Sequence, residues 1–475
     1  MPDPKTIESI LSQRSTQAVL RFLTKKNKRG QCLLDKVFAR YGRPYTSAVE
    51  QIRYAIPFFL IDYIRRKAGG TREGVVKRVC EHRPTARALV NTARGVGKYG
   101  LLRPQIFSAP LMVVWNFTQV CNFRCKHCYQ DARARLEDEL TLDEQLRIVD
   151  ELADNDVPFL AFSGGEPLMS RNFWPVAERA REREMHLTVA TNGSLVTSEV
   201  ARRLADLKFG YVEISVDSTD PKKHDAFRGA PGYWEKAVTG IRNAVAQGLK
   251  VGFSATITHM NFDEMEDLIA LAKDLGCHNF YAFNFIPTGR GKDIVDMDIT
   301  PQMREEMLRI LHKHLLSGEI AIMCTASQFG RACMQLSDAD GLVNTGHYGA
   351  AAGAKTRILA KYVGGCGAGR CYLAIQPNGI VTPCVFMPLP VGDLRKQSLM
   401  DLWENSAVFK LLRDRTDRTG HCKVCKYRYH CGGCRARSYG YYRDLRAPDP
   451  GCINNLKCWE ELAKPGAPVS EAAEG

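Results

Sequence analysis

Seventeen cysteines in 475 residues, eleven of them gathered into two short stretches, restrict this chain more than any other feature. Cys121, Cys125 and Cys128 make the first group, spaced C-x3-C-x2-C. Cys366, Cys371, Cys384, Cys422, Cys425, Cys431, Cys434 and Cys452 make the second. In a short secreted chain such density would mean disulfides. In a long chain kept in a reducing compartment it means metal or catalysis. The first 30 residues are polar and basic and lack the apolar stretch of a signal peptide. The longest apolar run, Tyr54–Ile64, is broken by Pro57 and Asp62 and falls well short of the ~20 residues that span a bilayer. The expected location is the cytoplasm, with peripheral membrane contact as an option. Cys32, Cys80, Cys277, Cys324 and Cys333 stand apart and read as small buried residues, as does Cys458 unless it substitutes for a ligand.

The texture of the chain changes along its length. Residues 1–105 read as helices over Ile7–Lys25, Tyr45–Arg66 and Gly74–Tyr99, with breaks at Gly69–Gly70 and Arg83–Pro84. From 106 to 300, apolar runs at Met112–Phe117, Phe159–Phe162, Leu187–Ala190, Tyr211–Val216, Val251–Ile257 and Phe280–Phe285 alternate with amphipathic stretches. Six strand–helix steps in order predict a parallel sheet with right-handed crossovers. The expected fold is α/β: a partial (β/α)6 TIM-like barrel with its chemistry at the C-terminal strand ends, an N-terminal helical segment and a small cysteine-rich C-terminal domain. Residues 301–365 read as one helix (302–317) and a connecting loop that includes Gly349–Lys355, 366–458 as the cysteine module and 459–475 as a tail.

The C-x3-C-x2-C loop follows the first predicted strand. Three thiolates hold three irons of a cubane and leave the fourth open, whereas such clusters usually take four cysteines. The spacing alone also allows a zinc site completed by His127, or an electron-transfer cluster with a remote fourth ligand. The loop resembles the signature of the radical S-adenosylmethionine (SAM) superfamily, and Ser163-Gly164-Gly165-Glu166-Pro167, ending the second strand, resembles that family's GGEP motif. The resemblance implies a 4Fe–4S cluster on Cys121, Cys125 and Cys128 whose open iron chelates SAM. It implies reductive cleavage to a 5′-deoxyadenosyl radical, and an electron donor such as ferredoxin or flavodoxin. Gly164, Gly165, Glu166 and Pro167 would meet SAM, the glycines by allowing close backbone approach and the carboxylate by accepting from the ammonium. Asn192, Ser215 and Asp217, at later strand ends, are further candidates, as are Arg228, as a partner for a carboxylate, and the turn Pro287–Gly291. His127 stands where the family often has an aromatic residue and is expected to pack on adenine.

The second group has eight cysteines, enough for two fully ligated cubanes. Cys422-x2-Cys425 with Cys431-x2-Cys434 could alternatively form a zinc ribbon. The spacing resembles the SPASM extension of radical SAM enzymes. That resemblance implies two auxiliary 4Fe–4S clusters, one on Cys366, Cys371, Cys384 and Cys434 and one on Cys422, Cys425, Cys431 and Cys452. Full ligation suits electron relay from a substrate radical, hence net oxidation or C–C or C–S bond formation.

Residues 1–110 hold 22 Lys and Arg against 7 Asp and Glu, so they carry the entire net charge of +14 and slightly more. Such a segment attracts an anionic partner: a membrane surface taking Phe58, Phe59 and Leu60 with Arg65, Arg66 and Lys67 at the headgroups, or an acidic peptide. No nucleic-acid reader motif is present. The substrate expected first is a lipid or other membrane-held molecule, or a peptide or protein. A heme-pathway tetrapyrrole is the alternative, and a non-catalytic iron–sulfur electron carrier is the alternative outside enzymology. Tyr281 and Asn284, near the sixth strand end, are candidate substrate contacts.

Overall fold

The computed structural model describes residues 4–28, 30–67, 71–337, 342–344, 350–352 and 360–462. Seven parallel strands follow one another across one sheet: β1 Met112–Thr118, β2 Phe159–Gly164, β3 His186–Thr191, β4 Tyr211–Ser215, β5 Val251–Ile257, β6 Asn279–Asn284 and β7 Ala321–Cys324. Helices Leu142–Asp154, Phe173–Glu182, Ser198–Asp206, Tyr233–Ala246, Met265–Asp274 and Pro301–Ser317 make the crossovers. The first begins where its chemistry says it should. Thr141 accepts from the Glu144 amide, and Glu144 reaches back to the Thr141 amide.

One face of the strands packs on these helices. Val113, Trp115, Leu160, Phe162, Leu187, Val189, Val212 and Ile214 are all buried in one continuous core. The other face alternates with it. Tyr211, Glu213 and Ser215 of β4 turn into the barrel and are half-buried.

The six expected strands are joined by a seventh. Residues 301–365, read as one helix and a loop, contain β7 and the helix Gln328–Leu336 as well as Pro301–Ser317. Part of the expected loop pairs as a short hairpin, β8 Leu342–Asn344 with β9 Ala350–Ala352. The rest of Gly349–Lys355 lies outside the described residues. The cysteine module is no separate appendage, because β10 Tyr372–Ile375 pairs in parallel with β1 (Val113 opposite Leu373). β11 Ile380–Thr382 and β12 Gly392–Asp393 continue the same sheet, antiparallel. Residues 459–462, placed in the tail, finish the helix Leu456–Leu462.

The N-terminal segment is helical, with different breaks. Helices Pro4–Ser12 and Arg14–Thr24 replace one expected helix, and Leu33–Arg40 is additional. Arg83–Pro84, read as a break, starts the helix Arg83–Tyr99, since proline's missing N–H costs nothing in a first turn. Gly69–Gly70 lies outside the described residues. Helix Ala48–Lys67 docks by one face. Phe58 stacks on Tyr54 and meets Tyr41 edge-on, so it is core rather than the exposed residue expected. Arg65 pairs with Asp62 at 2.9 Å. The side chains of Leu60 and Lys67 lie outside the described residues.

The segment packs against the N-terminal ends of the barrel strands. Asp156, just before β2, receives Arg94 at 2.7 Å and Lys26 at 2.9 Å, and Arg87 donates to the Arg183 carbonyl at 2.6 Å. No described helix is long and apolar enough to cross a membrane.

Candidate active site

The loop 121–128 leaves the C-terminal end of β1 and is gripped from three sides. From β2, the Gly165 and Glu166 amides donate to Thr118 O and Val120 O, both at 2.8 Å. From the end of helix Pro221–Arg228, Arg228 O and Phe227 O accept from Arg124 N and Lys126 N. From the turn after β6, Arg290 N donates to Cys128 O at 2.9 Å and Arg290 Nε to Cys125 O at 2.9 Å.

Glycine is required at two of these contacts. A Cβ on Gly165 would stand 2.2 Å from Val120 O. One on Gly289, where φ is +57°, would stand 2.3 Å from Cys128 O. The space a Gly165 side chain would take is filled by the cysteine loop, and the residue also lines the cavity. The turn Pro287–Gly291 likewise braces that loop.

Cys121, Cys125 and Cys128 all line one cavity, and none is in a disulfide. Burial pushes the Cys121 thiol up to about 11 and the Cys125 thiol up to about 12. As lone thiols they stay protonated at neutral pH, so iron must draw the protons off. Three cysteines on one wall fit a cubane with an open corner.

The other candidates divide. Gly164, Gly165, Asn192, Ser215 and Arg228 line the cavity. Glu166, Pro167 and Asp217 do not. Glu166 is wholly buried, and its oxygens accept from Thr191 Oγ1 at 2.8 Å, Asn192 N at 2.9 Å and Leu168 N at 3.2 Å. It braces β3 and so sets the position of Asn192. Burial raises its carboxyl to about 7 against these donors.

Asp217, also wholly buried, accepts from Arg228 Nε at 2.7 Å and Thr256 N at 2.8 Å. Although burial raises it, Arg228 and the neighbouring imidazoles hold this carboxyl below its ordinary range. Arg228 is thus a buried, paired cation facing the cavity. His127 lines the cavity too and lies parallel to Phe227 at 4.3 Å, so a side chain of the protein covers one face of its ring.

The cavity has a volume of about 990 Å³ and runs through the barrel. At the far end it reaches Lys250, His278 and Gly318, which are exposed. Its walls are mainly apolar and aromatic. Tyr129, one residue past the cysteine loop, hydrogen-bonds Ser163 at 2.8 Å and meets Phe386 of the C-terminal module at 4.9 Å. Tyr281 lines the cavity. Asn284 does too, but its carbonyl oxygen is taken by Arg304 and Arg437.

Glu213, which the motif reading passed over, faces this space, and burial pushes its carboxyl up to about 7. Its signal was present: a lone charge in Tyr211-Val-Glu-Ile-Ser215, on the strand face opposite the apolar residues.

Of the eight C-terminal cysteines, Cys371 immediately precedes β10, the strand that pairs with β1. Cys366 interacts electrostatically with Cys384 and Cys434. Cys431 does so with Cys422 and Cys452. These links join six of the eight cysteines, and Cys366 N also donates to Cys431 O at 3.0 Å between the two groups. Cys458 neighbours Cys422. Among the described residues no three His, Cys, Asp or Glu side chains converge as on a single ion.

Four buried arginines (Arg370, Arg415, Arg418 and Arg435) surround this region. Most of their nitrogens donate to backbone carbonyls, including Arg415 to Cys366 O at 2.5 Å and Arg435 to Ala447 O at 2.7 Å. The Nε atoms of Arg370, Arg415 and Arg418 have no partner among the described residues. Burial pulls Arg415 down to about 10 and Arg418 to about 9. Such cations need an anion nearby, and an iron–sulfur cluster on four thiolates supplies one.

Comparison with known proteins agrees with this geometry. Residues 115–275 match the Radical SAM superfamily, and 366–431 match SPASM, described as an iron–sulfur cluster-binding domain. The chain is 30% identical over 348 residues to the AdoMet-dependent heme synthase of Methanosarcina barkeri, covering 73% of this chain and 97% of that protein. It is 30% identical to the pre-heme d1 synthase of Dinoroseobacter shibae (72% and 85% covered) and 30% identical to the mycofactocin maturase MftC of Mycobacterium tuberculosis (73% and 83%). Its fold superposes on Streptococcus suis SuiB bound to S-adenosylmethionine with a TM-score of 0.64 at 15% identity, over 89% of this chain and 93% of that one.

Proposed function

Because this chain belongs to the radical SAM superfamily and carries a SPASM extension, we propose that it oxidatively modifies a heme-pathway tetrapyrrole. It is an enzyme that uses SAM, a 4Fe–4S cluster and auxiliary iron–sulfur clusters. The observation that carries the substrate class is the set of relatives. Heme synthases, a pre-heme d1 synthase and an Fe-coproporphyrin III synthase all align over about three quarters of the chain. None of these names supports a lipid substrate. A long, mainly apolar cavity of about 990 Å³ suits a large flat ligand.

In this reading Cys121, Cys125 and Cys128 hold the SAM cluster, which with SAM supplies a 5′-deoxyadenosyl radical. The Gly164–Gly165 backbone, Asn192, Ser215 and Arg228 form the wall on which SAM lies. Glu166 acts by fixing Asn192, and Asp217 by keeping Arg228 in place. Tyr129, Tyr281 and Phe386 shape the adjoining space for the substrate. Cys366, Cys371, Cys384 and Cys434, and Cys422, Cys425, Cys431 and Cys452, hold the auxiliary clusters. A ferredoxin or flavodoxin would serve as electron donor.

The test is anaerobic turnover of the reconstituted enzyme with SAM, a reductant and Fe-coproporphyrin III, followed by mass spectrometry. Loss of porphyrin mass in step with 5′-deoxyadenosine is the expected result. Deoxyadenosine without any change in the porphyrin would reject the substrate class and leave the radical chemistry standing. A peptide substrate is the second reading: Streptococcus suis SuiB, whose fold this chain shares, is known bound to the precursor peptide SuiA.

A further inference from the structure

Exposed apolar side chains are not spread evenly over the molecule. Of the fourteen large ones exposed among the described residues, ten lie between Ile10 and Leu89. That is the segment which also carries the whole basic excess of the chain. Five fall on one helix, Ala48–Lys67: Val49 (67% exposed), Ile52 (79%), Ile56 (73%), Phe59 (62%) and Tyr63 (45%). At 100° per residue they occupy a sector of about 80° along about 21 Å of helix. The opposite side already has its partners, since Tyr54 and Phe58 are buried against Tyr41. The stripe is therefore surplus to the fold.

The charges around the stripe have a consistent arrangement. Arg53 and Arg66, both exposed, border it on either side. The two acids of the helix point elsewhere and are engaged. Glu50 meets Arg40 and the Thr46 amide, and Asp62 meets Tyr41 and Arg65. A row of aliphatic and aromatic side chains between guanidinium groups matches a surface that is apolar below and anionic above. A second copy of the chain would set the same basic borders against each other.

We propose that helix Ala48–Lys67 is a docking face for an anionic phospholipid surface, with Ile52, Ile56 and Phe59 entering the acyl region and Arg53 and Arg66 at the phosphates. The inference is independent of the substrate reading. The segment packs on the strand N-terminal end of the barrel, the end at which the central cavity reaches exposed Lys250 and His278.

Co-sedimentation of the full-length holoenzyme with lipid vesicles tests it. Binding to vesicles containing about 30% phosphatidylglycerol is expected to exceed binding to pure phosphatidylcholine by about tenfold, and to fall as salt rises. The double variant I52E/I56E should lose that binding while cleaving SAM at the wild-type rate, because both side chains are already in solvent. R53E/R66E should lose only the preference for the anionic lipid. No binding to the phosphatidylglycerol vesicles, or binding that I52E/I56E leaves unchanged, would overturn the proposal. So would light scattering showing a dimer that I52E/I56E dissolves, since the stripe would then belong to a second copy.

Discussion

Arg437 Nη1 lies 2.5 Å from Asp298 Oδ2, with both side chains fully buried, and this contact joins the C-terminal module to the barrel. Asp298 also receives Arg304 at 2.6 Å and the Tyr441 hydroxyl at 2.9 Å. Asp449, beside Arg437, accepts from the Cys434 amide at 2.7 Å. A paired buried charge is costly to orphan, typically by about 3–5 kcal/mol. Arg437→Met, which takes the cation from Asp449 and one of two from Asp298, should lower unfolding stability on that scale by anaerobic denaturant titration, and Arg437→Lys, which keeps the charge, should recover part of it.

Gly289 has a positive φ and no room for a side chain. Gly289→Ala must push on Cys128 O, 2.3 Å from the new Cβ. The expected outcome is a protein that folds, shown by an unchanged far-ultraviolet circular dichroism spectrum, but holds less iron and makes less 5′-deoxyadenosine. Both quantities should fall together, because the contact touches the loop and not the auxiliary cysteines.

Cys125→Ala separates the two cysteine groups. Loss of the loop cluster should end 5′-deoxyadenosine formation while retaining about eight of twelve irons, as two intact four-iron clusters require. Iron and sulfide analysis of the purified variant checks the ratio.

Glu213 gives stability a pH dependence of known sign. Its folded-state pKa, raised by burial to about 7 from an ordinary 4.5, means that the folded chain holds a proton the unfolded chain has released. Stability from this group is present at low pH and lost as pH rises through that window. Glu213→Gln should therefore match wild type near pH 4 and exceed it at pH 8, by no more than about 3 kcal/mol. Thermal melts across that range provide the measurement.

Arg415 donates to the Cys366 carbonyl and is buried without a carboxylate on its Nε. A nearby positive charge stabilises the reduced, more negative cluster. Arg415→Met should lower one auxiliary midpoint potential by on the order of 50 mV, read by redox titration with electron paramagnetic resonance.

The six long strands were legible because strands of a parallel sheet between helices read as apolar runs. β7 was not. Ala321–Cys324 is four residues long and follows a Gly318 turn within a stretch that otherwise reads as helix and loop. β10 was hidden beside Cys371, where the ligand pattern dominated the reading. The cysteine groups and the glycine motif were legible as residue types, but their directions were not. Only the structure shows Glu166 facing Thr191 and Asn192, and Gly165 facing Val120. Glu213 left a period-two signal that a motif search does not weigh.

The pairing of β10 with β1 bears on how such enzymes diversify. If the polypeptide were cut before residue 366, β1 would be left with a bare row of amides and carbonyls, the template on which strands from other molecules collect. A lineage that shed this extension would have to protect β1 by another device, such as a helix, a loop or a charged, bulged edge at the same seam.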